Sequence, residues 1–252
     1  KTRNEKQESR KNMKIYKFDT LNSTNEFMKN NAKSFEKFDI VITKMQTEGK
    51  SRRGNTWFSD EGMALFTFLV KKEEKLDDIE YLKLPLLAGL AVIKGLEKFK
   101  NLNYMFKWTN DIYLSEKKLC GILVERVQDN FFIGIGININ NIIPTELENT
   151  AISLSEITGE KYDITDIAVS VTKEFQNLYA DFINGFWKKI LSEINLRNYL
   201  KNKKISIKIG KNLKAGIAQD INDNGEIEIL VDNELQSFSF GEILNEKIFI
   251  EK

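Results

Sequence analysis

A series of short apolar runs constrains the fold of this chain more than any other feature of its sequence. These runs are predicted to be strands, several of them apolar on both faces: residues 40–43, 64–70, 112–114, 119–127 and 131–139. Residues 86–99 follow Pro85 and are almost wholly apolar, and residues 164–182 carry apolar side chains at helical spacing, so both segments are predicted to be helices. We therefore expect an α+β domain in which helices cover a mixed, mainly antiparallel sheet.

The two ends of the chain differ from this central region. Residues 1–12 hold five basic side chains, two acidic ones and no apolar one, which predicts a disordered tail. After residue 201, isoleucines alternate with polar residues in two short segments, and the Asn224-Gly225 pair between them favours a hairpin turn. The predicted organisation is therefore a tail (1–12), a main domain (13–201) and a small SH3-like β-barrel (202–252).

The composition excludes several kinds of chemistry. None of the 252 residues is histidine, which removes Ser-His-Asp and Cys-His nucleophiles and the usual ligands of catalytic zinc. Phosphoryl or nucleotidyl transfer needs no histidine, because positioning and charge neutralisation carry most of the work. With 38 basic and 37 acidic residues the net charge is +1, so no global field attracts nucleic acid.

Cysteine content and hydropathy indicate the cellular compartment in which the protein is expected. The single Cys120 cannot form an internal disulfide, which favours a reducing, cytoplasmic location. No apolar run reaches the roughly 20 residues that span a bilayer, so no membrane association is expected.

The segment QTEGKSRRGNTW at residues 46–57 has the composition of an anion-binding loop. Only six of the 38 basic residues are arginines, and two of them, Arg52 and Arg53, are adjacent here. Arginine grips phosphate or carboxylate at two points, and neighbouring glycines let backbone amides approach a ligand. A solvated basic turn is the simpler alternative. The spacing of Gly49 and Gly54 also fits a Walker A loop, but the lysine that such a loop requires is missing.

Three further segments carry polar residues at defined spacing. Ser23-Thr24-Asn25 precedes a predicted helix and, with Glu26, has the spacing of a capping box. The sequences KWTND (107–111) and KLCGILVE (118–125) predict a strand, a tight turn and a returning strand. Each is unremarkable alone, but together they place Asp111 and Lys118 near one another.

The sequence GIGIN at residues 134–138 superficially suggests a dinucleotide-binding loop. That interpretation fails because Ile139 stands where the third glycine belongs. The simplest alternative is a crowded sheet in which the two glycines permit close packing.

Taken together, these segments resemble the biotin protein ligases. The family patterns are S-T-N, G-R-G-R-x-G-x-x-W, K-W-P-N-D, K-L-x-G-I-L-x-E and G-x-G-I-N, and each has a counterpart here in the same order. The resemblance extends over about residues 15–251, and the chain departs from the patterns at Lys50, Ser51 and Thr109. It implies the fold shared by class II aminoacyl-tRNA synthetases and biotin ligases. It also favours the monofunctional class, because a twelve-residue tail cannot form an N-terminal DNA-binding domain.

The resemblance implies an activity and a set of site residues. The expected enzyme forms biotinyl-5′-adenylate from biotin and ATP and transfers biotin to a lysine of a biotin carboxyl carrier protein. Catalytic roles are implied for Lys118, Arg52 and Asp111. Biotin contacts are implied for Ser23, Thr24, Asn25, Gln46, Gly49, Lys50, Ser51, Arg52, Lys118 and Gly121. Contacts with ATP or the adenylate are implied for Arg52, Arg53, Trp57, Lys107, Asn110 and Asn138.

Several expectations accompany this activity. Mg²⁺ is expected on the ATP phosphates, without assigned protein ligands, and the carrier is expected to be an acetyl-CoA carboxylase subunit or similar. A homodimer is a further expectation, whereas nucleic acid is not an expected partner. Two alternatives stay open at this point: a lipoate protein ligase with the same adenylation chemistry, and a non-catalytic regulator built on the same scaffold.

Overall fold

A computed structural model describes residues 6–10, 13–54 and 57–244 of the chain. Its main element is an eight-stranded sheet with the order β1-β2-β3-β4-β8-β7-β6-β5, in which β2 and β3 are parallel and the other neighbours antiparallel. The strands are β1 (Lys6–Arg10), β2 (Met13–Leu21), β3 (Ile40–Gln46), β4 (Ala64–Lys71), β5 (Met105–Lys107), β6 (Asp111–Leu114), β7 (Lys117–Val127) and β8 (Asn130–Ile137). The predicted mixed, mainly antiparallel sheet is confirmed.

Helices cover both faces of this sheet. They are α1 (Thr24–Asn30), α2 (Leu84–Glu97), α3 (Leu154–Thr158), α4 (Ile164–Ile183) and α5 (Trp187–Asn195). Helices α2 and α4 pack against each other, α2 also lying against β7 and α4 against β4. Helix α1 contacts β3, β4 and β8. Among the described residues, no helix is long and apolar enough to cross a membrane.

Strand alternation explains why the sheet has two apolar faces. Along β3, Ile40 and Ile42 belong to the large core that includes α2 and α4, whereas Val41 belongs to a smaller core with Met28 of α1. Successive side chains of a strand point to opposite faces, so a strand covered on both sides is apolar throughout.

The N-terminal prediction is wrong in part. Instead of a disordered tail, Lys6–Arg10 forms the edge strand β1, paired antiparallel with β2 from Lys6↔Lys17 to Arg10↔Met13. Ladder hydrogen bonds join backbone groups, so such a strand requires no apolar side chains. Residues 1–5 and 11–12 lie outside the described residues.

The C-terminal part forms a second, five-stranded antiparallel sheet with the order β12-β11-β10-β9-β13. Its strands are β9 (Lys204–Ile209), β10 (Asn212–Ile221), β11 (Ile227–Val231), β12 (Glu234–Phe238) and β13 (Glu242–Leu244). The last strand returns to the first, as in the predicted small barrel. Residues 245–252 lie outside the described part of the chain.

The β10–β11 hairpin, which contains the predicted Asn224-Gly225 turn, is hydrogen-bonded to two tryptophans that precede the second sheet in the chain. The Trp108 indole N–H donates to the Gly225 carbonyl at 3.1 Å, and the Trp187 indole N–H donates to the Asp223 carbonyl at 2.7 Å. Both tryptophans are buried, and the apolar core continues from one sheet into the other. The second sheet therefore supports the segment that leads into Asp111.

Candidate functional site

A cavity of about 480 Å³ opens where the start of α1, the loop after β3 and the strands β6–β8 meet. Twelve of the residues that the sequence assigns to the site line it: Ser23, Thr24, Asn25, Gln46, Lys50, Ser51, Arg52, Trp57, Asn110, Asp111, Lys118 and Gly121. We call it the polar cavity.

One wall of the polar cavity is a hydrogen-bonded set of amide and hydroxyl groups. The Gln46 side-chain oxygen accepts from the backbone N–H of Thr24 at 2.8 Å and from its hydroxyl at 3.1 Å. The Thr67 hydroxyl lies 2.6 Å from the Asn25 side-chain oxygen and 2.8 Å from the Thr24 hydroxyl. Because Thr24, Asn25 and Thr67 are buried and interlocked, the wall is fixed before any ligand binds.

The N-terminus of α1 is capped, but only half of a capping box is formed. The Ser23 hydroxyl accepts from the Glu26 backbone N–H at 3.4 Å. The Glu26 carboxylate instead accepts from the ammonium groups of Lys29 and Lys50, each at 2.6 Å. These two bonds lower the pKa of Glu26 below its usual range. Glu26 therefore joins α1 to the loop that carries Lys50.

A second carboxylate extends this chain of charges to β7. Glu125 accepts from Lys29 at 2.8 Å through one oxygen and from the Asn25 amide at 2.8 Å through the other. Burial disfavours the Lys29 ammonium, but its bonds to Glu125 and Glu26 raise its pKa overall. Asn25 is thereby held in one orientation, its amide donating outward and its oxygen accepting from Thr67.

The β6–β7 hairpin brings the predicted catalytic pair together. Leu114 pairs with Lys117, and the two residues between them, Ser115 and Glu116, both have positive φ, as a tight hairpin turn requires. The Lys118 ammonium lies 2.8 Å from one Asp111 carboxylate oxygen at the edge of the polar cavity. The predicted proximity of these side chains is confirmed.

Trp57 lies flat over a pair of glycines. Gly121 of β7 and Gly136 of β8 are direct cross-strand partners. A Cβ atom on Gly121 would lie 2.6 Å from the Trp57 ring, and one on Gly136 would lie 2.7 Å from its indole nitrogen. Only glycine leaves room for the ring at both positions. The Lys118 ammonium is 5.3 Å from the centre of the same ring.

Gly134 has the corresponding role for the amide wall. A Cβ atom there would lie 2.4 Å from the Asn25 side-chain oxygen. The close packing that the sequence allowed at Gly134 and Gly136 is thus present, and the groups that pack there are the side chains of Asn25 and Trp57, which line the polar cavity.

The loop after β3 closes on itself above these glycines. The Trp57 backbone N–H donates to the Gly49 carbonyl at 2.9 Å, so Gly49 shapes the loop without lining the cavity. Arg52 begins a short 3₁₀ turn and lines the cavity. The predicted role of Arg53 stays a prediction, and Asn55 and Thr56 lie outside the described residues.

Two polar atoms of the polar cavity have no partner within the described residues. They are the Trp57 indole N–H, a donor, and the Asn110 side-chain oxygen, an acceptor. The Asn110 amide itself donates to the Ile122 carbonyl at 2.6 Å, which fixes the side chain. Buried polar groups are almost always paired in native proteins, so these two atoms are suited to meeting a polar ligand.

A second, larger cavity of about 960 Å³ adjoins the first. The two share Ser51, Trp57 and Lys118, and the second is also lined by Tyr113 and by Asn138, whose side-chain oxygen accepts from Asn141 at 3.2 Å. We call it the junction cavity, because Lys118 stands where the two spaces meet.

Lys107, whose predicted contact with ATP or the adenylate stays a prediction, is buried beside two tyrosines. It lines neither cavity; its ammonium is buried and donates to the Tyr113 hydroxyl at 3.0 Å. The same ammonium lies 4.7 Å from the centre of the Tyr113 ring and 5.9 Å from that of Tyr199. Burial lowers the pKa of Lys107 and raises that of Tyr113 to about 12. Lys107 is therefore hydrogen-bonded to a residue that lines the junction cavity.

Three residues of the site were missed by the sequence analysis. Thr67 could have been noticed as the one hydroxyl in the otherwise apolar run ALFTFLV, and Glu125 as the final residue of the segment KLCGILVE. Tyr113 had no such signal, because a tyrosine in a short strand is ordinarily a core residue.

No group of three or more Cys, Asp or Glu side chains that could hold a metal ion occurs in the ranges 6–10, 13–54 and 57–244. Asp111 is the one carboxylate among the described residues that line either cavity. A magnesium ion at this site would therefore depend mainly on ligands supplied by a bound nucleotide, the usual mode for Mg²⁺.

Comparisons with known proteins agree with this geometry. Residues 17–140 match the Biotin/lipoate A/B protein ligase family. The bifunctional ligase/repressor BirA of Bacillus subtilis is 35% identical over 184 residues, which cover 67% of this chain and 54% of that protein. The Escherichia coli protein of the same name is 26% identical over 230 residues, covering 88% of this chain and 71% of its own length. The chain thus spans about half the length of the Bacillus relative.

A solved structure extends the likeness to nearly the whole chain. The biotin protein ligase from Aquifex aeolicus in complex with biotin and ATP superimposes with a TM-score of 0.83 at 28% identity, covering 91% of this chain and 97% of that one. Fold, cavity-lining motifs and sequence matches agree, and the chain belongs to the biotin/lipoate A/B protein ligase family.

Proposed function

We propose that this protein is an ATP-dependent biotin protein ligase, which forms biotinyl-5′-adenylate and then transfers biotin to a lysine of a biotin carboxyl carrier protein. The observation that carries the proposal is the position of Lys118, paired with Asp111 at 2.8 Å, where the polar cavity and the junction cavity meet. A reaction that joins a carboxylic acid to a nucleotide needs two adjoining pockets with a positive charge between them.

The polar cavity suits the ureido ring of biotin. That ring presents two N–H donors and a carbonyl acceptor, and hydroxyl and amide side chains offer both complements. Thr24, Asn25 and Gln46 provide such groups in fixed positions, while the Trp57 indole N–H and the Asn110 oxygen are unpaired within the described residues. Lipoate has no comparable ring, so this wall favours biotin over lipoate.

The first half-reaction brings the biotin carboxylate to the α-phosphate of ATP. Lys118 would lower the repulsion between these anions and stabilise the charge that develops as the oxygen attacks phosphorus and pyrophosphate leaves. Arg52, which lines the polar cavity from the loop above, would hold the resulting acyl-phosphate anhydride. Mg²⁺, when bound with ATP, would neutralise further phosphate charge.

In the second half-reaction the carrier lysine attacks the acyl carbon of the adenylate and AMP leaves. The attacking amine must lose a proton, and Asp111 is the carboxylate closest to Lys118. We assign Asp111 to orienting this amine. A carrier of the acetyl-CoA carboxylase type and a homodimeric assembly belong to the proposal as expectations.

Incubation with ATP and Mg²⁺ plus either biotin or lipoate tests the proposal. Pyrophosphate release is followed, and the protein-bound fraction is examined by mass spectrometry for the acyl adenylate. Release with biotin well above that with lipoate, and bound biotinyl-adenylate, support the proposal. Higher turnover with lipoate would identify a lipoate ligase, and no turnover with either acid would leave a non-catalytic scaffold.

The carrier part needs a second measurement. Apo biotin carrier domain added to the charged enzyme should gain the mass of one biotinyl group on its target lysine. Discharge of the adenylate only to free biotin and AMP would refute the transfer step while leaving the adenylation step intact.

A further inference from the structure

The junction cavity contains a polar group that the proposed mechanism does not use. Tyr113 lines this cavity and is the cross-strand partner of Lys118. Its ring lies 4.6 Å from that of Tyr199, and the buried Lys107 ammonium donates to its hydroxyl at 3.0 Å. Lys107 and Tyr199, which do not line the cavity, therefore hold the Tyr113 side chain in position.

The donors and acceptors around the Tyr113 hydroxyl determine where its proton points. An ammonium group has donors only, so the Tyr113 oxygen is the acceptor in its bond with Lys107. No group within residues 6–10, 13–54 or 57–244 accepts the Tyr113 proton in return. Burial keeps the phenol protonated by raising its pKa to about 12. Tyr113 thus retains one donor for a ligand in the cavity that it lines.

The charge of the junction cavity indicates what that ligand is. Lys118 is the one charged side chain among the described residues that line the cavity, and no carboxylate lines it. A donor next to a lysine, in a space without negative charge, is suited to an anionic oxygen. Donors aimed at phosphate are a common means of holding a nucleotide for in-line attack.

We propose that the Tyr113 hydroxyl donates to a phosphate of the bound nucleotide, and that Lys107 is a positioning residue that holds this hydroxyl in its donating orientation. This inference rests on the proposed nucleotide-dependent function. It gives Lys107 an indirect role in a site that it does not touch.

Tyr113→Phe is the direct test, and Tyr199→Phe is its matched control. The two rings contact each other, but the Tyr199 hydroxyl donates to Glu116 at 2.7 Å and does not line the cavity. We expect Tyr113→Phe to weaken ATP binding, measured by calorimetry without biotin, by about 10-fold or more, the scale of a hydrogen bond to a charged group. Adenosine binding and biotin binding should be unchanged, and Tyr199→Phe should bind ATP like the wild type.

Lys107→Met tests the positioning role through a double-mutant cycle. Methionine keeps most of the buried volume and removes the ammonium. We expect Lys107→Met to weaken ATP binding but not biotin binding, and to add nothing further in the Tyr113→Phe background. Equal, additive losses in both backgrounds would show that Lys107 acts independently of Tyr113 and would overturn its assignment.

The outcomes separate this inference from the function on which it rests. If the wild-type protein binds no ATP, the proposed function fails. If it binds ATP and Tyr113→Phe binds equally well, only the present inference fails. If Tyr113→Phe weakens adenosine binding as much as ATP binding, the hydroxyl contacts the nucleoside and the phosphate assignment is wrong.

Discussion

Replacing Gly136 with alanine isolates the contact between the Trp57 ring and the floor of the site. The added Cβ would lie 2.7, 2.8 and 3.0 Å from the Nε1, Cε2 and Cζ2 atoms of Trp57. Comfortable contacts between such atoms are about 3.5–4.0 Å, so the ring must rise by roughly 1 Å or leave its place.

The loop should yield rather than the sheet. Gly136 pairs with Leu65 on one side and with Gly121 on the other, whereas Trp57 lies on a loop between strands. Overpacking of this kind typically costs about 1–3 kcal/mol. Because that cost destabilises the closed loop, it reduces the affinity for biotin. A change of 1.4 kcal/mol corresponds to a tenfold change in dissociation constant, so we expect biotin to bind about 5-fold to 100-fold more weakly. The free energy of unfolding without ligand should change by less than about 1 kcal/mol.

Calorimetry for biotin affinity and urea denaturation for stability provide the two measurements. The control is the same alanine in a Trp57→Ala background, where no ring overlaps the new methyl group. There Gly136→Ala should have little further effect on binding. A loss of affinity as large in that background as in the wild type would refute the reasoning, because the methyl group would then act on the ligand directly.

Three further predictions address charged groups. Lys118→Met should slow pyrophosphate release about 100-fold to 1000-fold, the scale of a lost electrostatic catalyst, while Lys117→Met should be near wild type; equal effects would remove Lys118 from catalysis. Glu26→Gln removes the carboxylate partner of Lys50, so bound adenylate should dissociate a few-fold faster from the variant. Added salt should increase the dissociation rate of the wild type but not that of the variant. Lys107 has a lowered pKa in the folded state, so the unfolded chain binds more protons between that pKa and about 10.4. The stability of the wild type relative to Lys107→Met should therefore rise as the pH is raised from that pKa towards about 10, and a fall would contradict the assigned shift.

The sequence predicted best those features that a short stretch of chain determines. Asp111 and Lys118 lie on the two strands of one tight hairpin, so local strand pairing brings them near one another, and their side chains meet at 2.8 Å. The glycines at 134 and 136 were expected to permit close packing, and they do. The groups that pack there, Asn25 and Trp57, come from distant segments and could be named only from the structure.

Features that depend on distant partners escaped prediction. Alternation along a strand indicates which residues share a face but not what covers that face, so the packing of Lys107 against Tyr113 and Tyr199 could not be predicted. The edge strand Lys6–Arg10 escaped for a different reason: its pairing uses backbone groups, and a pattern of apolar residues carries no information about it.

The contacts that build the two cavities differ widely in sequence separation, which has a consequence for how the site assembles. The pair Asp111–Lys118 closes a hairpin of eight residues, and such a loop forms within microseconds. The hydrogen bond between Asn25 and Glu125 joins residues that are 100 positions apart, so forming it costs more loop-closure entropy than closing the hairpin does. During synthesis, the amide wall cannot be completed until Glu125 has left the ribosome. A nascent chain would thus form the proposed catalytic pair before it could complete the wall that is proposed to bind biotin.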